Sequence, residues 1–138
     1  MRYYLDTNIL VFILLNQRDE IDKNVEAILE DYSNSFYVST VVVRELILLH
    51  KNGELQKQKY KTYKDIFDTI EELNYEIKPI QKEHLFAYAT LNPALEHKDP
   101  NDHTIIAQAI SDKIPVISSD RKFKLYETQN LKLVFNKR

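Results

Sequence analysis

Asp6, Glu45, Asp102 and Asp120 occupy places where an ionised side chain is hard to keep, because each borders or interrupts an apolar run. Asp6 closes Arg2-Tyr3-Tyr4-Leu5, and Asp120 closes Pro115-Val116-Ile117-Ser118-Ser119. Asp102 opens Ile105-Ile106-Ala107-Gln108-Ala109-Ile110, while Glu45 is embedded between Val41-Val42-Val43 and Leu46-Ile47-Leu48-Leu49. A buried carboxylate needs a cation, hydrogen bonds or a polar cleft. Several gathered at one point suggest a divalent metal ion and the hydrolytic chemistry that such an ion supports.

The elements that must bring these acids together follow from the hydrophobic pattern. Arg2 to Leu5 reads as a strand, followed by a helix from about Asn8 to Asn16 and another between Asp19 and Asp31. Phe36-Tyr37-Val38 is the next strand, and Ser39 or Thr40 can cap a helix through Val41 to about His50 that stops at Asn52-Gly53. Tyr60, Tyr63, Phe67, Ile70 and Leu73 recur at helical spacing, which predicts one amphipathic helix over Glu54 to Leu73 with a Lys-rich outer side. Tyr75 to Lys78 is a strand and Gln81 to Leu91 a helix. Asp99 followed by Pro100 marks a helix start, with Asp99 as N-cap, and that helix reaches about Asp112. Ile114 to Ser118 is a strand, Arg121 to Tyr126 a short helical turn, and Lys132 to Phe135 a last strand.

Strands separated by helices favour an α/β fold with a parallel sheet covered on both faces. Asp6 and Asp120 then fall just past the carboxyl ends of strands, where open α/β sheets build their sites. Glu45 shares a helix face with Val41, Val42, Leu48 and Leu49, and Asp102 heads the stripe of Ile105, Ile106 and Ala109. Each acid also has a plainer reading. Asp6 and Asp120 can be helix N-caps, Asp102 can favour the positive end of its helix, and Glu45 can pair with Arg44 or His50.

Size and composition set the outer bounds. A chain of 138 residues with 43% hydrophobic content fits one domain, 1–138, with a real core. The absence of cysteine excludes disulfides, Cys-ligated zinc and thiol nucleophiles. The apolar stretch Ile9 to Leu15 is too short to span a bilayer and lacks a cleavage site, so a soluble, cytoplasmic protein is expected. A formal net charge of −2 gives no footprint of a whole-surface nucleic-acid binder, so a polyanion would have to be met locally.

Tyr4-Leu5-Asp6-Thr7-Asn8, Val43-Arg44-Glu45-Leu46, Asp99-Pro100-Asn101-Asp102-His103-Thr104-Ile105-Ile106-Ala107 and Ser118-Ser119-Asp120-Arg121-Lys122-Phe123 together resemble the motifs of PIN-domain nucleases. Within that superfamily the chain is most similar to the VapC-type toxins of prokaryotic toxin-antitoxin pairs. The resemblance extends over essentially the whole chain. A lone Asp-Thr-Asn is a weak signal, whereas four motifs in order at matching length are specific. The resemblance implies a PIN-like three-layer sandwich, a central parallel sheet of four to five strands flanked by helices. It implies that Asp6, Glu45, Asp102 and Asp120 hold Mg2+ or Mn2+ and catalyse hydrolysis of RNA, with Thr7, Asn8 and Ser118 in supporting positions. Asp99 matches an acid that often precedes the third motif, as cap first and ligand second. Arg44 and Arg121 flank the motifs and can position substrate, as can Lys98, Lys122 and Lys124. Asp120 is followed by no further acid within three residues, unlike some relatives, which leaves the number of metal ions open.

The same resemblance implies an RNA substrate, a cognate antitoxin and a homodimer, with no membrane partner. His97 and His103 are not required for metal-dependent hydrolysis, and His103 reads as structural or supporting. Three other readings share parts of the pattern. A PIN ribonuclease of RNA processing would need no antitoxin, and a non-catalytic α/β binding module would not need intact acids in all four motifs. A haloacid-dehalogenase-type phosphatase would need an acid two residues after Asp6, where this chain has Asn8.

Overall fold

Each run of strand-forming residues is followed by a helix that must cross back over the sheet, and the outcome is an all-parallel sheet. The computed structural model describes residues 1–138. Five strands, β1 (Arg2–Leu5), β2 (Ser35–Ser39), β3 (Glu76–Lys78), β4 (Val116–Ser118) and β5 (Leu133–Phe135), lie in the order β3-β2-β1-β4-β5. The helices are α1 (Thr7–Leu14), α2 (Lys23–Glu30), α3 (Thr40–Lys51), α4 (Tyr63–Glu72), α5 (Lys82–Thr90) and α6 (Pro100–Asp112). Two 3-10 segments, Arg18–Glu20 and Arg121–Gln129, complete the chain.

The strand order decides where a site can form. The chain lays β2 and β3 on one side of β1, then crosses to lay β4 and β5 on the other. Tyr4 pairs with Tyr37 on one flank and with Val116 on the other. The direction of winding therefore reverses between β1 and β4, opening a crevice beyond their carboxyl ends. Asp6 follows β1 directly and Asp120 follows β4 by two residues.

Alternation along the strands feeds two apolar layers. Tyr3, Leu5 and Ile117 belong to one, with Phe36, Val25 and Ile21; Tyr4, Val38 and Val116 belong to a larger one shared with α3, α6 and the 121–129 segment. Helix α1 is buried nearly all round, so Ile9 and Ile13 join the smaller layer while Leu10 and Leu14 join the larger. This clamps Asp6 and Thr7, at the start of α1, against the sheet.

Local chemistry sets the helix ends. Ser39 Oγ accepts from Val41 N at 3.1 Å to start α3, and the single glycine, Gly53, takes φ 77° just beyond Asn52, as a helix stop requires. Asp99 Oδ1 accepts from Asn101 N at 2.9 Å with Pro100 at the first helical position, so α6 begins where the sequence predicts. The helix expected over 54–73 is shorter than its spacing suggests. Asp65 Oδ2 accepts from Lys61 N and Thr62 N at 2.9 and 3.1 Å, which starts α4 at Tyr63. Residues 54–62 instead form turns held to the body by buried Leu55 and by the Tyr60 hydroxyl, which donates to Leu14 O at 2.7 Å. The helix expected from Asp19 starts at Lys23, because Asp22 Oδ1 caps Val25 N at 2.8 Å. No helix is long and apolar enough to cross a membrane.

Candidate active site

Asp6 is buried, and every feature around it fixes its carboxylate. Oδ1 accepts from Thr7 N at 2.8 Å; Oδ2 accepts from Ser118 Oγ at 2.6 Å and from Asn8 Nδ2 at 3.3 Å. Asn8 is itself held, its Oδ1 accepting from Ser119 N at 3.2 Å. The β1 and β4 ends are thus stitched by side chains as well as by the sheet. Thr7 uses its hydroxyl to reach α3, donating to Glu45 Oε1 at 2.7 Å. Asp120 Oδ1 caps the following 3-10 segment through Lys122 N at 2.9 Å, and its own N–H donates to Ser118 Oγ at 3.0 Å.

Asp6, Thr7, Asn8, Glu45, Asp102 and Asp120 line one cavity of about 500 Å3. Its far wall is apolar, made by Val11, Phe12, Leu48 and Leu49, with Asn52, Asn101 and Arg138 at the rim. Glu45 meets neither Arg44 nor His50, and faces this cavity on the helix side it shares with Leu48 and Leu49. Ser118 lies fully buried beneath it. Asp99 stands outside as the α6 cap. Arg44 is exposed and donates to Asn101 Oδ1 at 2.5 Å, at the rim of the cavity without lining it, and Arg121 lines a neighbouring groove.

The crowding of acids has an electrostatic cost. Burial pushes Asp6 up to about 7 despite the Ser118 hydroxyl, and the charges of Asp102 and Glu45 add to the rise. Asp102 is also pushed up to about 7, first by burial and then by the charges of Asp99, Asp120 and Glu45. Burial raises Glu45 too, partly offset by the Thr7 hydroxyl. The donor set is hard, oxygen-rich and short of positive charge, which fits a divalent cation of the Mg2+ or Mn2+ kind.

The profile of the PIN domain matches residues 3–128 of the sequence. The chain belongs to the PIN-domain family. PIN domains are nucleases that use divalent metals. This PIN domain is similar in structure to VapBC2 from Rickettsia felis bound to a DNA fragment from their promoter, at 26% identity and a TM-score of 0.73, over 99% of this chain and 100% of that one. It is similar to VapBC-1 from nontypeable Haemophilus influenzae at 22% identity and a TM-score of 0.66, over 98% of each chain. It is also similar to VapBC-5 from Mycobacterium tuberculosis, a member of the VapBC family of toxin-antitoxin systems, at 23% identity and a TM-score of 0.64, over 97% of this chain and 98% of that one. No curated protein matches the chain.

Sequence reasoning sets aside one residue at the site, His97, and does not reach a second beside it, Asn136. His97, buried in the loop before α6, lies 3.0 Å through Nε2 from Asp102 Oδ2, and ligand atoms of His97, Asp102 and Asp120 fall within 4.8 Å of one another. Burial lowers its pKa, against the pull of Asp120. The second is Asn136, just past β5. Its Oδ1 accepts from Asp22 N at 2.8 Å, and its Nδ2 donates to Glu20 O and Ser119 Oγ, both at 2.8 Å. Its N–H donates to Ser118 O at 2.8 Å. Replacing it strands several of these partners in a buried place, so Asn136→Ala is expected to lose about 2–3 kcal/mol in urea unfolding. A loss below about 0.5 kcal/mol would show that the clamp carries no weight.

Proposed function

We propose that this PIN domain is a Mg2+- or Mn2+-dependent endoribonuclease, the toxin half of a toxin-antitoxin pair, acting in the cytoplasm as a homodimer. The observation that carries the reading is the meeting of Asp6, Glu45, Asp102 and Asp120, from four separate elements, around one cavity at the switch point of the sheet. The VapBC complexes from Rickettsia felis and Mycobacterium tuberculosis support the toxin and antitoxin parts of the reading.

Asp6, Asp102 and Asp120 would hold the cation, with Glu45 as a further ligand or as the base that orients the attacking water. When bound, the cation supplies Lewis acidity toward a phosphodiester and lowers the pKa of water at the site. The chain's own residues prepare for this chemistry. Ser118, Asn8 and the Thr7 N–H fix both oxygens of Asp6, leaving its remaining lone pairs for the cavity. Thr7 occupies one oxygen of Glu45, so the other is left to accept a proton from water, and its raised pKa makes it a better base. The apolar wall of Val11, Leu48 and Leu49 keeps bulk water from one side of the reacting phosphate.

Substrate charge is met beside the cavity. A groove of about 980 Å3, sharing Asn8, Asp120 and Arg138 with the acidic cavity, is lined by Arg121, Lys122, Lys124, Lys137 and Arg138. Only Arg138 among these cations pairs with an acid, Glu20 at 2.9 Å. In a chain of net charge −2, that local excess supports a polyanion lying across Asp120. Lys124→Ala with Lys137→Ala is expected to raise KM for RNA roughly tenfold with kcat within about twofold. The pair should also reduce the salt slope of RNA binding by up to about 1.4. An unchanged KM and slope would remove the groove from the substrate path.

The test of the whole reading is expression with and without the adjacent open reading frame, followed by mapping of new RNA ends and copurification. Growth arrest with new cleavage sites, relieved by a copurifying small partner, is the expected result. Cleavage without any such partner would point to RNA processing, and no cleavage in Mg2+ or Mn2+ would overturn the nuclease reading.

A further inference from the structure

Tyr126 is fully buried, and its hydroxyl accepts from Ala94 N at 3.1 Å. The only other polar atom bonded to that hydroxyl is His97 Nδ1, at 2.9 Å. The phenolic proton must therefore go to Nδ1; otherwise it is stranded in the core, where an unmade hydrogen bond is costly. A neutral His97 whose Nδ1 accepts carries its proton on Nε2, and Nε2 is the atom 3.0 Å from Asp102 Oδ2. The bond thus runs from Ala94 N–H to the Tyr126 hydroxyl, on to His97 and out to the carboxylate.

The ring has little freedom to do anything else. His103, the residue after Asp102 on α6, meets the His97 carbonyl through Nε2 at 2.8 Å, and its ring stands edge-on to that of His97 at 4.8 Å. Tyr126 and Phe123 pack around the same imidazole at 5.4 and 6.2 Å. Asp102 sits at the start of α6, one of its oxygens is tied back to His97 Nε2, and the residue lines the acidic cavity.

We infer that His97, with its tautomer set by Tyr126, is a positioning residue that holds Asp102 in the orientation needed to bind the divalent cation. The inference rests on the metal-dependent reading above and adds to it a group outside the acidic set. Outer groups that orient a ligand carboxylate or imidazole are commonly worth about 10- to 100-fold in metal affinity. A buried histidine with both nitrogens satisfied can also be plain core filling. The chain carries its own comparison, because His84 accepts from Gln81 N at Nδ1 and meets Asp112 through Nε2 at 2.9 Å, in a cavity that none of the four acids lines.

The test uses the full chain and Mn2+ alone as the probe. Imidazole 15N spectra of the metal-free wild type should show His97 as the Nε2–H tautomer. Mn2+ affinity, read by titration calorimetry, should fall at least about tenfold in His97→Leu. It should stay within about threefold of wild type in His97→Gln, whose amide can still donate to Asp102, and in His84→Leu. Tyr126→Phe, which removes one oxygen, should mix the His97 tautomers and weaken Mn2+ severalfold. An Nδ1–H tautomer in wild type, or His97→Leu that binds Mn2+ as wild type does, overturns the inference while leaving the metal reading intact. A wild type that takes up no Mn2+ overturns both.

Discussion

Asp6→Asn is expected to lower RNA cleavage by about 10³-fold or more, equivalent to roughly 4 kcal/mol of barrier, and to abolish growth arrest on expression. The reason is the position of this carboxylate. It is the most enclosed of the four acids, and Ser118, Thr7 and Asn8 hold it in one orientation. An asparagine keeps the shape and can accept from Ser118 and Asn8 through its carbonyl oxygen, giving up the bond from Thr7 N at about 1 kcal/mol, but it brings no charge to a cation. Loss of activity should therefore come without loss of fold. Because burial already holds Asp6 near 7 in the metal-free protein, the neutral variant should melt at or above the wild-type temperature at pH 8. Circular dichroism and cleavage assays on the same preparations separate the two effects. A variant that cleaves RNA at more than about a tenth of the wild-type rate would remove Asp6 from the reaction.

The fold was legible because its signals are local. Period-two and period-3.6 patterns place the strands and helices, and caps such as Asp99-Pro100 and the Asn52-Gly53 stop need only a few neighbouring residues. The boundary that moved furthest, the start of α4, fails for the opposite reason. Tyr60 has the spacing of the helix after it, yet its hydroxyl is claimed by Leu14 and its carbonyl by His50 Nε2 at 2.9 Å, contacts that periodicity does not register.

The acids around the cavity stand out in the sequence because a charge inside an apolar run is visible wherever its partners lie. Asn136 is silent by that criterion, since the groups it joins, Glu20 and Ser119, are 116 and 17 residues away. His97 depends in the same way on Tyr126, 29 residues on. Its nearness to Asp102, five residues ahead in the loop entering a helix, was a usable signal; a histidine just upstream of a buried carboxylate can turn back to meet it. Arg44 and Arg121 flank motifs in sequence but do not line the cavity itself: helix geometry turns the neighbour of Glu45 by about 100°, so Arg44 reaches only the Asn101 amide at the rim, and Arg121 lines the adjoining basic groove.

The metal-free protein should lose stability as pH rises from about 5 to 8, and millimolar Mg2+ should restore it at pH 8 but not at pH 5. Asp6 and Asp102 carry folded-state pKa values raised from 3.8 to about 7, so between those limits the folded state binds more protons than the unfolded chain. Stability then falls with pH through that window and levels off above about 7. For Asp6 alone the raise corresponds to roughly 4 kcal/mol at pH 8, and its coupling to Asp102 means that the pair contributes less than twice that figure. A cation at the four acids removes the repulsion and makes ionisation favourable. Its binding near pH 6 should therefore expel protons, seen as a dependence of calorimetric heat on the ionisation enthalpy of the buffer, and the effect should shrink at pH 8. The melting temperature of Asp6→Asn should vary less with pH than that of wild type, because one of the two raised groups is gone. A flat melting profile with no proton release would mean that these carboxylates do not share one electrostatic environment, and the argument for a cation among them would lose its physical basis.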